Sequence, residues 1–244
     1  PRVRRQRQMC IRDRYGFLWI GTEEGLNRYD GIMIKSYSIC PQAAGKYISS
    51  LYGTKKNIWI GTDEGIYIYA YATETFTYFD LTTPNNVRIT SIVNHILQDK
   101  DGNLWFSTNG QGLFRYNLSK NYLEQYEFTS AFGIVASTMA DSDNQIWALT
   151  NQGESGVYKL NKAENKFEPF GLLYNAGNHH SQALAMLEDS EQTLWLGTWE
   201  CGLQKIDKYT RQTTTYLHPT DGKGVTHIPV SYTHLRAHET LMNL

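Results

Sequence analysis

Five copies of one five-residue phrase limit what this chain can fold into. Leu18-Trp19-Ile20-Gly21-Thr22 returns as Ile58-Trp59-Ile60-Gly61-Thr62, Leu104-Trp105-Phe106-Ser107-Thr108, Ile146-Trp147-Ala148-Leu149-Thr150 and Leu194-Trp195-Leu196-Gly197-Thr198. Successive Trp residues lie 40, 46, 42 and 48 positions apart (59−19, 105−59, 147−105, 195−147). A period of this size means one supersecondary unit repeated side by side, and about 40–50 residues is the length of a four-stranded propeller blade. The expected fold class is all-β: a β-propeller fragment of about five four-stranded antiparallel blades, a partial ring.

The residues around each phrase support strands joined by hairpins. An apolar stretch runs into a turn, as in Ile96-Leu97-Gln98-Asp99-Lys100-Asp101-Gly102-Asn103. The phrase follows, then a Gly-bearing turn such as Glu23-Glu24-Gly25, then a second strand such as Leu113-Phe114-Arg115-Tyr116. A Thr/Tyr/Phe-rich segment such as Thr75-Phe76-Thr77-Tyr78-Phe79 closes the unit. Short β-branched and aromatic runs bounded by Gly, Asn and Asp read as strands, and Asp101-Gly102 reads as a type I′ turn. The Trp phrase is apolar on both faces, which suits a strand sandwiched between stacked sheets. No stretch keeps a helical period.

This pattern resembles the two-component regulator propeller repeat, roughly Asp-x-x-Gly-x-Leu-Trp-Ile-Gly-Thr-x-x-Gly-Leu-x-x-Tyr. Asp99, Gly102, Leu104, Trp105, Thr108, Gly112, Leu113 and Tyr116 fill it, and so do Trp59, Ile60, Gly61, Thr62, Gly65, Ile66 and Tyr69. Ser107 and Leu149 replace the phrase Gly, and Trp199 stands where other copies carry Glu, Asp or Asn. The resemblance implies the extracytoplasmic, hence periplasmic, sensor half of a bacterial hybrid two-component regulator. Many such sensors respond to oligosaccharides, with kinase and DNA-binding parts lying downstream.

The two ends fall outside the repeat. Residues 1–14 and most of 229–244 resemble translated sequencing-library adaptors; Arg4 to Asp13 and Val230 to Glu239 each follow one reading frame of a transposon-based adaptor. They are expected to be non-native and to make no specific contact with the propeller, which leaves residues 15–228 as the domain. The first repeat then starts at Tyr15 without its innermost strand. Setting these ends aside (seven basic and two acidic residues of the 23 and 24) leaves 16 basic and 22 acidic side chains, net −6. That balance argues against nucleic acid as a partner. Cys40 and Cys201, the two remaining cysteines, suggest neither a disulfide framework nor a zinc site. No apolar run reaches transmembrane length, so no membrane contact is expected within this stretch.

Candidate chemistry is sparse. Asp99-Lys100-Asp101-Gly102-Asn103 echoes the start of a calcium loop, but position twelve is Gly110 and a β-turn fits better. His179-His180 has no third ligand at metal spacing. Asn117-Leu118-Ser119 is an isolated glycosylation triplet. Glu23-Glu24 and Asp63-Glu64 are paired acids, as glycosidases need, yet they recur at equivalent repeat positions, and catalytic sets break repeat symmetry.

The function expected is a non-catalytic sensor or ligand-recognition propeller responding to an oligosaccharide. The alternatives are a scaffold for protein contacts or dimerisation, and a propeller lyase or hydrolase. No catalytic residue, metal or cofactor is expected. The partner is an oligosaccharide or an adjacent sensor domain, with a homodimer of the parent protein as a further candidate. The ligand is placed on the turns after the Trp phrases: Glu23, Glu24, Asp63, Glu64, Asn109, Gln111, Asn151, Glu154, Trp199 and Glu200. The connections between blades add Asn85, Asn86, His179 and His180. Trp199 leads this group because a flat apolar face in a loop can stack on a sugar.

Overall fold

A computed structural model describes residues 9–37, 47–128, 133–150, 156–172, 183–198 and 202–216. Twenty strands form five four-stranded antiparallel sheets, each a meander in chain order. The first holds β1 (Met9–Arg12), β2 (Leu18–Thr22), β3 (Gly25–Tyr29) and β4 (Ile34–Tyr37). The second holds β5 (Ile48–Gly53), β6 (Asn57–Thr62), β7 (Gly65–Ala70) and β8 (Thr75–Tyr78). The third holds β9 (Val93–Gln98), β10 (Leu104–Thr108), β11 (Leu113–Asn117) and β12 (Tyr122–Tyr126). The fourth holds β13 (Val135–Ala140), β14 (Ile146–Thr150), β15 (Gly156–Asn161) and β16 (Lys166–Leu172). The fifth holds β17 (Ala183–Glu188), β18 (Thr193–Thr198), β19 (Leu203–Asp207) and β20 (Thr213–Tyr216). All five Trp phrases are second strands, as the repeat predicts, and the described residues contain no helix. The chain divides into two compact units, residues 1–98 with 102–125 and residues 99–101 with 126–244.

Each letter of the phrase has a physical task. The Trp side chain packs toward the following sheet. Trp19 joins Leu26, Ile48, Leu51, Ile58, Ile60 and Tyr69; Trp59 joins Phe79, Ile96 and Phe106; Trp147 joins Leu194, Leu196 and Ile206. The Gly lets the next inner strand approach. A Cβ on Gly21 would lie 2.5 Å from Ile48 Cγ2, and one on Gly61 would lie 2.1 Å from Ser50 Oγ and 2.8 Å from Val93 Cβ. The Thr hydroxyl closes the next turn, donating to Gly25 O (3.0 Å), Gly65 O (3.0 Å), Gly112 O (2.7 Å) and Gly202 O (2.8 Å) in four sheets.

An Asp six residues before the Trp builds the preceding turn. In three sheets its Oδ1 accepts two backbone N–H groups and its Oδ2 accepts the indole N–H. Asp13 takes Tyr15 N, Phe17 N and Trp19 Nε1 at 2.9, 3.0 and 2.7 Å. Asp141 takes Asp143 N, Gln145 N and Trp147 Nε1 at 2.9, 2.8 and 2.9 Å. Asp189 takes Glu191 N, Thr193 N and Trp195 Nε1 at 2.9, 2.9 and 2.6 Å. The fourth turn residue has positive φ: Gly16, Gly102, Asn144 and Gln192. This is a type I turn followed by a left-handed residue, the three-residue hairpin loop. The type I′ expectation for Asp101-Gly102 is therefore corrected, since that turn needs two positive φ values and only Gly102 has one.

Burial follows the stacking. β10 and β14 are buried at every position. In β2, Trp19 and Gly21 are buried while Leu18 and Ile20 are half-buried. In β18 the pattern inverts, with Leu194 and Leu196 buried and Trp195 half-buried. In each of these two strands the side chains of one face are buried and those of the other are half-buried.

The N-terminal expectation fails in part. β1 occupies the inner-strand place of the first sheet, pairing Met9 with Gly21 and Ile11 with Trp19, and Asp13 caps the turn. The reason is that strand pairing is carried by the backbone: the inner edge of β2 offers a row of N–H and C=O groups that any extended segment can satisfy. Asp13-x-x-Gly16-x-Leu18-Trp19 also meets the spacing of the turn. Residues 217–244 lie outside the described residues.

Candidate functional site

In a four-stranded antiparallel meander, the turn after the second strand and the link to the next sheet leave from the same end. In the first unit this end carries Glu23-Glu24, Asp63-Glu64, Asn109 to Gln111 and the connection 79–92. Glu23, Glu24, Asp63, Glu64, Asn85, Asn86 and Asn109 are exposed, and Gln111 is half-buried. Asn151, Glu154, His179, His180, Trp199 and Glu200 lie outside the described residues.

The structure brings part of this set together. The Tyr78 hydroxyl lies 3.0 Å from Glu64 O and 3.2 Å from Ile89 O, tying the second sheet's turn to the connection. Asn109 N donates to Ile92 O at 2.9 Å. Gln111 Oε1 accepts from Thr90 N (2.9 Å) and Ser91 N (3.0 Å), and its Nε2 donates to Arg88 O (2.9 Å). Gln111 therefore holds backbone with both ends of its carboxamide. Glu23 and Glu24 form no hydrogen bond or ion pair with this group; Glu24 N donates to Thr22 Oγ1 at 3.2 Å. Asp80 and Arg88, joined at 2.8 Å, were not singled out in the sequence, because nothing short-range marks two residues eight apart in a link as partners. Asp63, Glu64 and Asp80 give this end of the unit an acidic character, with Arg88 as its partly neutralising cation.

A second polar constellation lies at the opposite ends of the strands in the second unit. The buried Lys208 Nζ lies 2.7 Å from Asp143 Oδ2, 2.7 Å from Glu188 Oε1 and 3.6 Å from Asp141 Oδ2. Glu188 also accepts from Ser142 N at 2.5 Å and from Ser142 Oγ at 3.1 Å. Burial disfavours the Lys208 ammonium, but the bonds to Asp143 and Glu188 outweigh it and hold its pKa above the ordinary lysine value. The hydrogen bond from Lys208 in turn lowers the pKa of Asp143. One ammonium thus faces three carboxylates, and its bonds tie the fourth sheet's turn to the fifth sheet. The Asn117 carboxamide is likewise structural: Oδ1 accepts from Lys120 N and Nδ2 donates to Asn103 Oδ1, both at 2.9 Å. Among the described residues no set of three His, Cys, Asp or Glu is arranged to hold a metal. Nor is any helix among them long and apolar enough to cross a membrane.

Residues 86–110 match the family model described as two component regulator propeller, and the chain resembles that family. It is 28% identical over 135 residues to Histidine kinase P4 of Formosa agariphila, a match covering 52% of this chain and 10% of that protein. The chain thus spans about a tenth of that relative's length. Two solved extracellular domains of B. thetaiotaomicron, both described as belonging to hybrid two-component systems, share the fold. One superposes with TM-score 0.71 at 24% identity, covering 84% of this chain and 27% of its own. The other gives 0.70 at 23%, covering 87% and 30%. A virginiamycin B lyase from Staphylococcus aureus gives 0.66 at 16%, covering 88% and 70%. At these identities the structures establish the propeller fold, which hosts many unrelated functions.

Proposed function

We propose that this chain is part of the extracytoplasmic, periplasmic sensor propeller of a hybrid two-component regulator, that it is non-catalytic, and that it recognises an oligosaccharide. The observation that carries the reading is the family match over residues 86–110, which covers the end of the connection, β9, β10 and the start of the turn holding Asn109. It is supported by the histidine kinase relative and by the two sensor-domain neighbours. In this reading the five sheets are part of a ring of about seven blades. The ligand lies on the turns after the Trp phrases, with Trp199 among its contacts.

The lyase likeness is the specific ground for a second reading, a propeller enzyme. One experiment separates the two. The chain is titrated with oligosaccharides by calorimetry, and the recovered sugar is analysed by chromatography. A sensor binds saturably and returns the sugar intact. Cleaved or eliminated products would favour the enzyme, and the absence of saturable binding would remove the ligand assignment.

A further inference from the structure

The connection between β8 and β9 is fastened at its base and open at its apex. Phe79 and Ile89 sit in the core. Gln111 spends both ends of its carboxamide on Arg88, Thr90 and Ser91 backbone, and Tyr78 reaches Ile89 O. Above that base, Thr82 and Arg88 form a β-bridge. Thr83 N donates to Val87 O and Asn86 N to Thr83 O, both at 2.9 Å, while the Thr83 hydroxyl accepts from Val87 N at 3.1 Å. Asn86 takes φ 61, which Asn tolerates better than most residues. The result is a short hydrogen-bonded arm, with Pro84, Asn85 and Asn86 exposed at its tip.

We propose that residues 82–88 form a preorganised recognition arm for a neutral saccharide, with Asn85 and Asn86 as its contact residues and Gln111 as its positioning residue. This rests on the sensor reading above. Among the described residues the exposed Asn85 and Asn86 carboxamides have no hydrogen-bond partner, and each offers donors and an acceptor, the complement of paired sugar hydroxyls. An arm ordered before binding avoids the cost of ordering it on binding. The carboxylates of Asp63, Glu64 and Asp80 outnumber Arg88, the cation within the arm, which disfavours an anionic ligand. Gln111, with both ends of its carboxamide on backbone, acts through the arm.

Two measurements on the whole chain test this. Amide exchange compares Gln111→Ala with Gln111→Glu, which keeps an oxygen for the Thr90 and Ser91 N–H groups. Exchange at Thr90 and Ser91 should rise about tenfold or more in the Ala variant, stay near wild type in the Glu variant, and be unchanged in β10. Unchanged exchange in the Ala variant overturns the positioning role. Calorimetry then uses malto-, cello-, xylo- and laminarihexaose and, as the anionic probe, hexagalacturonate. The double variant Asn85→Ala/Asn86→Ala should lose about tenfold or more in affinity for the neutral sugar that wild type binds, with exchange unaltered. Gln111→Ala should lose both affinity and protection, and Gln111→Glu should keep most of each. If wild type binds a neutral hexasaccharide and the double variant binds equally well, the arm assignment falls while the sensor reading stands. If wild type binds none of the five probes, the oligosaccharide assignment falls and the arm with it. Tighter binding of hexagalacturonate overturns the preference for a neutral ligand.

Discussion

Trp59 shows what the turn Asp does by lacking it. Cross-strand pairing sets Trp19 against Ile11, two residues before Asp13, and Trp59 against Tyr52, two residues before Thr54. Thr54 therefore holds the Asp position in a hairpin one residue shorter. Its hydroxyl accepts from Asn57 N at 3.0 Å, so the turn keeps a cap, but the Trp59 indole N–H is buried without a partner among the described residues. An unmet buried donor costs about 1–3 kcal/mol. Thr54→Asp should recover about 1 kcal/mol, read as a rise in the urea unfolding free energy. Asp141→Ala is the converse. It removes the cap, the Trp147 acceptor and a carboxylate facing buried Lys208, and should cost about 3–5 kcal/mol in the same assay. Asp143→Ala, which removes an exposed partner, should cost clearly less.

At the scale of the strand, the phrase Gly is a spacing device. Gly61→Ala would drive a Cβ against Ser50 Oγ and Val93, and the Val93 backbone has little room because both Ser49 and Ser50 donate to its carbonyl at 2.8 Å. Overpacking of this kind should cost about 1–3 kcal/mol by urea denaturation, with β5 and β9 amides losing exchange protection first. The bulge in β5, β9, β13 and β17, always beside the residue paired with the phrase Thr, repeats in four inner strands. It belongs to the blade and not to any one sequence, since Ile48, Val93, Val135 and Ala183 share little beyond being apolar.

For the whole molecule, two outcomes follow from how the sheets are closed. Deleting residues 1–13 removes β1 and the acceptor of Trp19, and should lower stability by about 2–4 kcal/mol; an unchanged urea midpoint would show that β1 contributes nothing. The acid limit is set by carboxylates. Backbone N–H groups of Met33 and Ile32 lower Asp30, those of Thr210 and Tyr209 lower Asp207, and Lys208 lowers Asp143. Burial opposes ionisation of Asp189, but the Trp195 donor and two backbone N–H groups outweigh it and lower its pKa too. A lowered folded pKa contributes stability that is present above the ordinary carboxylate value of about 4 and is lost as pH falls through the folded value. Lys208 runs the other way: its contribution is present below the ordinary lysine value and is lost only as pH rises through its raised folded pKa. Urea midpoints should therefore be flat from about pH 6 to 9 and fall below about pH 4, less steeply in Asp189→Asn.

The sequence by itself determined the repeat, the strand class, the blade length and the burial of the Trp phrases, because each is a periodic consequence of stacking identical units. It also marked the turns after the phrases as an exposed polar end. It did not show that β1 completes the first sheet, since pairing with a bare strand edge asks little of side-chain pattern. Nor could it separate Gln111 from Asn85 and Asn86, three amide residues near the same turn and connection. Only the tertiary fold gives the Gln111 side chain three backbone partners 20 to 23 residues away and leaves the Asn85 and Asn86 carboxamides with none among the described residues, because a side chain's task depends on what a distant segment brings beside it.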